Sequence, residues 1–266
     1  RDDLDLAEFR FTLDDNVALD PEYVRNLKLE YGGPSTLWYR RFIEGAWVSA
    51  EGAVYDFFDD RIHVIDRAAL PDRKPDQVDL AIDYGTSNAT SVGAYASWNQ
   101  ARPGTLHAAR LAGHYYDGRK SGKQQTDRQH ADDIVAFAER LDHPIRYVWI
   151  DPSAASLAAE LRTRDVKGSR LKVRKAKNDV VDGIRTQAAM LQAGEYAIVR
   201  DPSNDQCIRD YGAYLWDQKA QDRGIDKPLQ ENDHTKDEER YFCTACSVVD
   251  SLLRAWRAAS TSREEA

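Results

Sequence analysis

Two aspartates lie at the ends of apolar segments whose composition is typical of buried β-strands. Asp83 lies in the segment 80–84 (LAIDY), and Asp151 ends the segment 148–151 (VWID). A carboxylate in such a segment is costly to bury unless it is paired or bound to a metal ion. Because α/β folds place their sites at the carboxyl ends of strands, both aspartates are candidates for metal chemistry. Asp151 has a second interpretation, since an aspartate directly before a Pro-Ser pair is also a typical helix N-cap.

A further acidic group precedes an amphipathic segment that predicts a long helix. It contains Asp233 and Asp237, with His234 between them. Three carboxylates from two strands and a helix would repel one another without a cation. Two hard divalent cations about 4 Å apart suit such a set and serve phosphodiester hydrolysis, because one lowers the pKa of the attacking water and the other stabilises charge on the leaving 3′ oxygen. His234 is a candidate ligand, orienting residue or general acid/base, or else a surface histidine at a helix N-terminus.

Two basic stretches are candidates for contact with a phosphate backbone. Residues 162–177 contain eight Lys/Arg and a single acid, and a second basic run lies in the Gly-rich segment 117–128. The net charge of −8 argues weakly against nucleic-acid binding, but segregated basic patches bind phosphates even on an acidic protein. Each run could instead be a solvated face. The candidate DNA-binding residues are Arg119, Lys120, Lys123, Arg128, Arg170, Lys172, Arg174 and Lys175.

The elements that would position these residues alternate in type along the chain. Three consecutive strands are predicted over 78–84, 90–98 and 105–116, with a tight turn at 85–88. Further strands are predicted over 146–150, 170–175 and 196–200, and helices over 127–141, 153–164, 180–193, 205–222 and 237–256. This order predicts an α/β fold with a mixed β-sheet flanked by helices.

The N-terminal fifth of the chain has a different pattern. A helix capped by Asp20 is predicted over 20–31, followed by an aromatic-rich amphipathic segment over 35–47. The pattern changes at residue 54, where short strands are predicted over 54–58 and 62–65. Because the sequence begins at Arg1, we expect a piece of a longer protein.

Composition excludes some classes of protein. The 266 residues are 42% hydrophobic and 31% charged, which is typical of a globular protein, and the length suits one α/β domain with an extension or two small domains. No apolar stretch approaches the roughly 20 residues that span a bilayer. Three cysteines do not make a disulfide framework, and we expect Cys243 and Cys246 to pack one turn apart on the last helix rather than to bind zinc.

Seven motifs, in this order, resemble the phage large terminases, the motor-nucleases that package viral DNA. The combination is specific, although no single motif is. The motifs are 19–24 (LDPEYV), 38–48 (WYRRFIEGAWV), 51–56 (EGAVYD), 82–88 (IDYGTSN), 150–156 (IDPSAAS), 178–185 (NDVVDGIR), and the group Asp233, His234, Asp237, Arg240 and Tyr241.

The resemblance implies an RNase H-like nuclease domain over 51–266. Its catalytic, metal-binding acids would be Asp83, Asp151 and Asp237, with His234 beside them and two Mg²⁺ or Mn²⁺ ions as cofactors. It also implies that residues 1–50 are the tail of an ATPase domain and its linker. Because no GxxxxGK[ST] phosphate loop occurs, we expect no ATP hydrolysis by this chain.

The last motif departs from the family pattern. Lys236, Glu238 and Glu239 stand where small or apolar residues are expected around the final aspartate.

The implied activity is endonucleolytic cleavage of double-stranded, concatemeric phage DNA during genome packaging. The small terminase subunit and the portal protein would be the partners, in the host bacterial cytoplasm and without membrane association. Three alternatives remain. An actin- or chaperone-like ATPase is suggested by segment 82–88, but its second phosphate loop and Gly-rich adenosine site are missing. Transposase or Holliday-junction resolvase relatives share the acidic triad, and a non-catalytic DNA-binding module from a prophage remnant would use the basic runs alone.

Overall fold

A computed structural model describes residues 9, 11–31, 34, 37–46, 52–85, 88–99 and 105–246 of the chain. Its helices are α1 Pro21–Glu30, α2 Leu37–Phe42, α3 Asp60–His63, α4 Gly118–Ser121, α5 Asp127–Glu139, α6 Ala155–Leu161, α7 Val180–Gln192, α8 Asp205–Ala213, α9 Gln218–Gln221 and α10 over 234–246. Short 3-10 helices cover Leu13–Asp15, Arg67–Ala69 and Pro202–Asn204. The strands are β1 Val64–Ile65, β2 Gln77–Asp83, β3 Ala89–Ser97, β4 Ala108–Asp117, β5 Val148–Ile150, β6 Asp165–Val166, β7 Ser169–Arg170, β8 Val173–Lys175 and β9 Tyr196–Val199.

Within the described residues, seven strands form one mixed sheet in the order β1-β9-β4-β3-β2-β5-β8. Strands β2, β3 and β4 are an antiparallel meander, and the other neighbours pair in parallel. The predicted meander and mixed sheet are therefore confirmed. Strands β6 and β7 form a separate two-stranded hairpin.

The strand register brings several strand ends to one end of the sheet. Ile82 pairs with Ile150 in the parallel β2–β5 ladder, so Asp83 and Asp151 follow at equivalent positions on neighbouring strands. Ile150 in turn pairs with Lys175 at the end of β8. Strand β4 also ends here, because the start of the antiparallel β3 pairs with its last residue. We call this the carboxylate end of the sheet.

Helices cover both faces of the sheet because side chains of the strands alternate between the two faces. One face packs against α5 and α6 through a cluster that includes Leu80, Ile82, Val92, Val148 and Ile150. The opposite face packs against α7, α8 and α10 through a cluster that includes Ala81, Tyr95, Tyr196, Ile198 and Phe242. Strand β3 is buried along its whole length, as expected for a central strand.

Several predicted elements differ from the observed ones. Residues 54–57 form turns rather than a strand. Of the predicted strand 62–65, only Val64–Ile65 is a strand, and the two residues before it belong to α3, because Asp59 accepts a hydrogen bond from the backbone N–H of Arg61 and so caps that helix. The predicted strand 170–175 is divided between β7 and β8. Segment 117–126 contains the short helix α4, whose first turn is capped by Asp117.

The predicted helix over 205–222 is wrong as a single element. The chain leaves α8 at Tyr214, Ala53 forms an antiparallel bridge with Leu215, and the Trp216 N–H donates to the Gly52 carbonyl oxygen. Helix α10 begins at residue 234 rather than 237, and residues 247–256 of the predicted helix lie outside the described residues. Cys243 and Cys246 both lie on α10, one turn apart, as expected.

The N-terminal segments pack onto the rest of the molecule. Helix α1 is capped as predicted, because Asp20 accepts hydrogen bonds from two backbone N–H groups of its first turn. From α2, the Trp38 ring lies edge-on to Trp216 at 6.4 Å between centroids, and Arg41 is paired with Asp226. The boundary between residues 50 and 51 stays a prediction. In the described part of the chain, no helix has the length and apolar character needed to cross a membrane.

Candidate active site at the carboxylate end of the sheet

Asp83 and His234 are brought into direct contact. Asp83 ends β2, and His234 begins α10, which packs across the sheet. The His234 Nδ1 lies 2.8 Å from Asp83 Oδ2 and 3.8 Å from Asp233 Oδ1. Burial alone would lower the pKa of His234, but the hydrogen bond to Asp83 and the charges of the neighbouring aspartates raise it above its ordinary value. The surrounding carboxylates therefore favour the protonated form of the imidazole.

Asp151 lies one strand away and is held by three donors. The Ser153 N–H donates to Oδ1 at 2.6 Å, while Asn178 Nδ2 at 2.5 Å and the Tyr241 hydroxyl at 3.0 Å approach Oδ2. The contact with Ser153 matches the capping interpretation in part, although it closes the turn before α6 rather than the helix itself. The same Tyr241 hydroxyl lies 3.5 Å from Asp83 Oδ1, so one buried hydroxyl stands between the two carboxylates.

Asp237 is on the same face of α10 as His234 and Tyr241, and it is paired with Arg240 at 3.0 Å. The Arg240 guanidinium also donates to Asn178 Oδ1 at 3.0 Å and to the Asp179 carbonyl oxygen at 3.1 Å. Asn178 therefore links the Arg240–Asp237 pair to Asp151. The three predicted acids and His234 are brought to one end of the sheet, and their catalytic roles stay predictions.

Negative charge is in excess at this end of the sheet. Burial raises the pKa of the Asp237 carboxyl to about 6, the Arg240 guanidinium opposes this shift, and the charges of Asp83 and Asp233 add to it. Burial also raises the pKa of Asp233, where His234 opposes the shift. Crowded carboxylates of this kind are the usual environment of a bound divalent cation.

The donor chemistry of the site fits a hard divalent cation. Asp83 and Asp151 offer carboxylate oxygens on neighbouring strands, which Mg²⁺ and Mn²⁺ prefer as ligands. Among the described residues, however, no three His, Cys, Asp or Glu side chains converge closely enough to hold one ion, and Asp237 is engaged by Arg240. The arrangement of Asp83 and Asp151 thus fits a shared cation, whereas Asp237 is engaged by Arg240, and their role as metal ligands stays a prediction.

Comparison with known proteins identifies the relatives of this chain. No protein-family model and no curated protein matches the sequence. Among solved structures, the large terminase of a thermophilic bacteriophage, in complex with ADP, matches at 38% sequence identity, with a TM-score of 0.73 over 88% of this chain. The chain is similar to phage large terminases. It spans 54% of the length of that thermophilic-phage terminase chain.

A more distant likeness supports the fold alone. The nuclease domain of the P22 large terminase matches 71% of this chain and 90% of that domain, at 14% identity and a TM-score of 0.52. The predicted RNase H-like α/β fold and the predicted resemblance to large terminases are both confirmed.

The predicted DNA-binding residues are all exposed, but not all of them lie at the carboxylate end of the sheet. Helix α4, which carries Arg119 and Lys120, follows β4 at the carboxylate end of the sheet. Lys175 lies at this end too, next to the strand that leads to Asp151. Arg128 lies in the first turn of α5, whose Asp127 accepts a hydrogen bond from the Tyr84 hydroxyl.

The remaining basic residues either lie farther from the carboxylates or are already in contact with another side chain. The Lys172 carbonyl oxygen pairs with the first residue of β5, at the strand end farther from Asp151. Arg170 lies on the β6–β7 hairpin and is ion-paired with Asp165 at 2.8 Å. Arg174 lies over the Tyr147 ring at 5.0 Å. Only part of the basic set therefore surrounds the carboxylates.

Sequence reasoning missed a group of charged residues in the protein core. Lys236, Glu238 and Glu239 do not disturb the last motif, because each is buried and paired with an opposite charge. Glu238 pairs with Arg110 of β4. A signal was present: Arg110 interrupts the apolar segment 108–112 (AARLA) in the same way that Asp83 interrupts its strand.

Proposed function

We propose that this chain is the nuclease part of a phage large terminase and cleaves double-stranded DNA with the help of divalent metal ions. The observation that carries the proposal is the pair Asp83 and Asp151, which end neighbouring parallel strands and share the Tyr241 hydroxyl, with His234 and Asp237 on the helix that faces them. Similarity to the large terminase of the thermophilic bacteriophage supports the terminase part of the proposal.

We assign metal-binding or orienting roles to the residues of the site. Asp83 and Asp151 would hold the Mg²⁺ or Mn²⁺ ions, two in the proposed mechanism, and Asp237 would be a third ligand only without its ion pair to Arg240. The bound ions supply an activated water and stabilise charge on the leaving oxygen. His234 keeps the Asp83 carboxylate in one orientation through its 2.8 Å contact. Asn178 and the Ser153 N–H do the same for Asp151.

The charge distribution supports a duplex substrate that crosses the carboxylate end of the sheet. Exposed cations of α4 lie beyond β4 on one side of the carboxylates, and Lys175 ends β8 on the other. Such side chains contact phosphates rather than base edges, so binding carries little sequence preference. A specific cleavage site would then depend on a partner protein.

The wider role follows from the terminase similarity. The substrate would be concatemeric phage DNA, cut during genome packaging in the host cytoplasm, with the small terminase subunit and the portal protein as partners. The thermophilic-phage relative was solved with ADP, and this chain spans 54% of its length. Since the sequence carries no GxxxxGK[ST] motif, ATP hydrolysis would belong to another part of the motor, of which residues 1–50 are the tail.

The test is cleavage of supercoiled plasmid with Mn²⁺, Mg²⁺ or EDTA. Wild type should nick and linearise the plasmid with a metal and not with EDTA. Asp83→Asn and Asp151→Asn should each lower the rate by at least about 100-fold, because each removes a ligand charge. Asp142→Asn is the matched control, since Asp142 is an exposed aspartate that precedes β5 at the opposite end of the sheet. Equal cleavage by all four proteins would contradict the proposal.

A non-catalytic DNA-binding module is the second candidate. The observation that favours it is the engagement of Asp237 by Arg240, together with the lack of any three converging ligands in the described residues. Under that function, wild type would shift DNA in a gel but leave the plasmid intact with either metal. The plasmid assay thus separates the two candidates.

A further inference from the structure

Helix α10 carries charged side chains into the protein core as well as towards the carboxylates. His234, Asp237 and Tyr241 are spaced three and four residues apart and form the face towards Asp83 and Asp151. Glu238 and Glu239, both 0% exposed, point to other sides of the same helix. A buried charge is stable only with a partner and a full set of hydrogen bonds.

Glu238 has such a set. It is ion-paired with Arg110 of β4, and it accepts hydrogen bonds from the Ser91 hydroxyl at 3.1 Å and the Tyr95 hydroxyl at 3.2 Å. Arg110 in turn donates to Asn204 Oδ1 at 2.5 Å. One carboxylate therefore joins α10 to two strands of the sheet.

Glu239 makes a second attachment on the next side of the helix. It is ion-paired with Lys236, and the Tyr196 and Tyr211 hydroxyls donate to it at 2.6 and 3.1 Å. Lys236 also donates to the Cys207 carbonyl oxygen at 3.0 Å. The two attachments hold α10 from different directions.

The sheet leaves room for the Glu238 carboxylate. A Cβ atom built on Gly93 of β3 would collide with Glu238 Oε2 and with the Tyr95 ring. The absence of a side chain at Gly93 is thus what lets the carboxylate reach the sheet. The contact of Glu238 with the sheet is therefore close-packed in the core and, unlike a surface contact, has little freedom to shift.

We infer that Glu238 is a positioning residue that sets the rotation and height of α10, so that His234 and Asp237 face Asp83 and Asp151. The inference rests on the proposed function. Neighbouring residues of an α-helix are about 100° apart around its axis, so a shift of α10 by one residue would move His234 away from Asp83. Apolar packing tolerates small rotations, whereas a buried side chain that contacts Arg110, Ser91 and Tyr95 reaches all three only from one place. Glu238 lies one turn after His234 on α10, so its attachment to the sheet restricts, through the helix, where that imidazole can lie.

Two conservative variants separate reach from charge. Glu238→Gln keeps the length of the side chain and one acceptor oxygen but removes its charge. Glu238→Asp keeps the charge but shortens the side chain by one methylene. We expect Mn²⁺ affinity, measured by titration of the full chain and by the Mn²⁺-induced rise in Tm, to be close to wild type for Glu238→Gln and about tenfold weaker for Glu238→Asp.

A double variant guards against misfolding of Glu238→Asp. Arg110→Met with Glu238→Met replaces the pair by apolar side chains of similar length, a change that proteins often tolerate. Circular dichroism should show a folded protein, and Mn²⁺ affinity should be lower than in wild type, because the apolar pair no longer fixes the rotation of α10.

The outcomes are distinguishable. If wild type shows no Mn²⁺ response, the proposed function fails and this inference fails with it. If wild type responds and both Glu238→Asp and the double variant bind Mn²⁺ equally well, only the positioning role is overturned. Weaker binding by Glu238→Gln than by Glu238→Asp would also overturn it, since charge rather than reach would then govern the site.

Discussion

His234 Nδ1 lies 2.8 Å from Asp83 Oδ2, and this contact joins the first residue of α10 to the last residue of β2. We expect His234→Ala to lower both the Mn²⁺ affinity and the plasmid cleavage rate about 10- to 100-fold, because Asp83 loses the donor that orients it. His234→Asn places an amide nitrogen near the position of Nδ1 and should recover part of the loss. Equal defects in the two variants would show that the contact with Asp83 is not what matters.

The Tyr241 hydroxyl stands between two carboxylates and can be removed without removing either. Tyr241→Phe should lower the free energy of unfolding by about 1–3 kcal/mol, since a buried hydrogen bond to a charged group is lost. Urea unfolding without metal measures this change, and Tyr23→Phe, at a half-exposed tyrosine, is the control. Because Asp83 and Asp151 are retained, Mn²⁺ should still raise the Tm of Tyr241→Phe. A variant that is stable but no longer responds to Mn²⁺ would mean that the hydroxyl itself helps to hold the ion.

Gly93 is required by a side chain that crosses the core. Gly93→Ala should destabilise the protein by about 1–3 kcal/mol, because its Cβ would collide with Glu238 Oε2 and the Tyr95 ring. Gly212 on α8 is the matched control, since a Cβ there meets no atom within 4 Å. Gly212→Ala should be neutral or slightly stabilising, as alanine is favoured over glycine inside a helix. Equal urea midpoints for Gly93→Ala and wild type would show that the core around Glu238 is loosely packed.

The parts of the fold that could be predicted from sequence are those governed by local pattern. Asp83 and Asp151 stand out because each interrupts or ends an apolar strand, and the meander follows from alternating turns and strands. The break after α8 could not be predicted, because it depends on pairing of Leu215 with the distant Ala53. The role of Glu238 was hidden for the same reason: an acidic residue on a helix suggests solvent, and only the tertiary structure places Arg110 opposite it.

Stability should also depend on the partly buried histidine of β4. Burial lowers the pKa of His114 below its ordinary value, with Asp133 opposing this shift and Arg140 adding to it. A depressed pKa means that the folded state favours the neutral imidazole, so the contribution is complete above about pH 6.5 and is lost as the pH falls below that value. In urea unfolding at pH 7.5 and 5.5, His114→Leu should lose less stability on acidification than wild type. A larger loss in the variant would contradict the sign of the shift.

The two basic stretches should differ in their contribution to DNA binding. Lys175 is exposed beside the strand that leads to Asp151, while Arg170 is already ion-paired with Asp165. Lys175→Gln should weaken binding of a DNA duplex and reduce the slope of log affinity against log salt concentration by about one, because one phosphate contact is lost. Arg170→Gln, a matched loss of one charge, should change both quantities less. If Arg170→Gln has the larger effect in fluorescence anisotropy titrations, the duplex crosses the β6–β7 hairpin rather than the carboxylate end of the sheet, and the proposed DNA path is wrong.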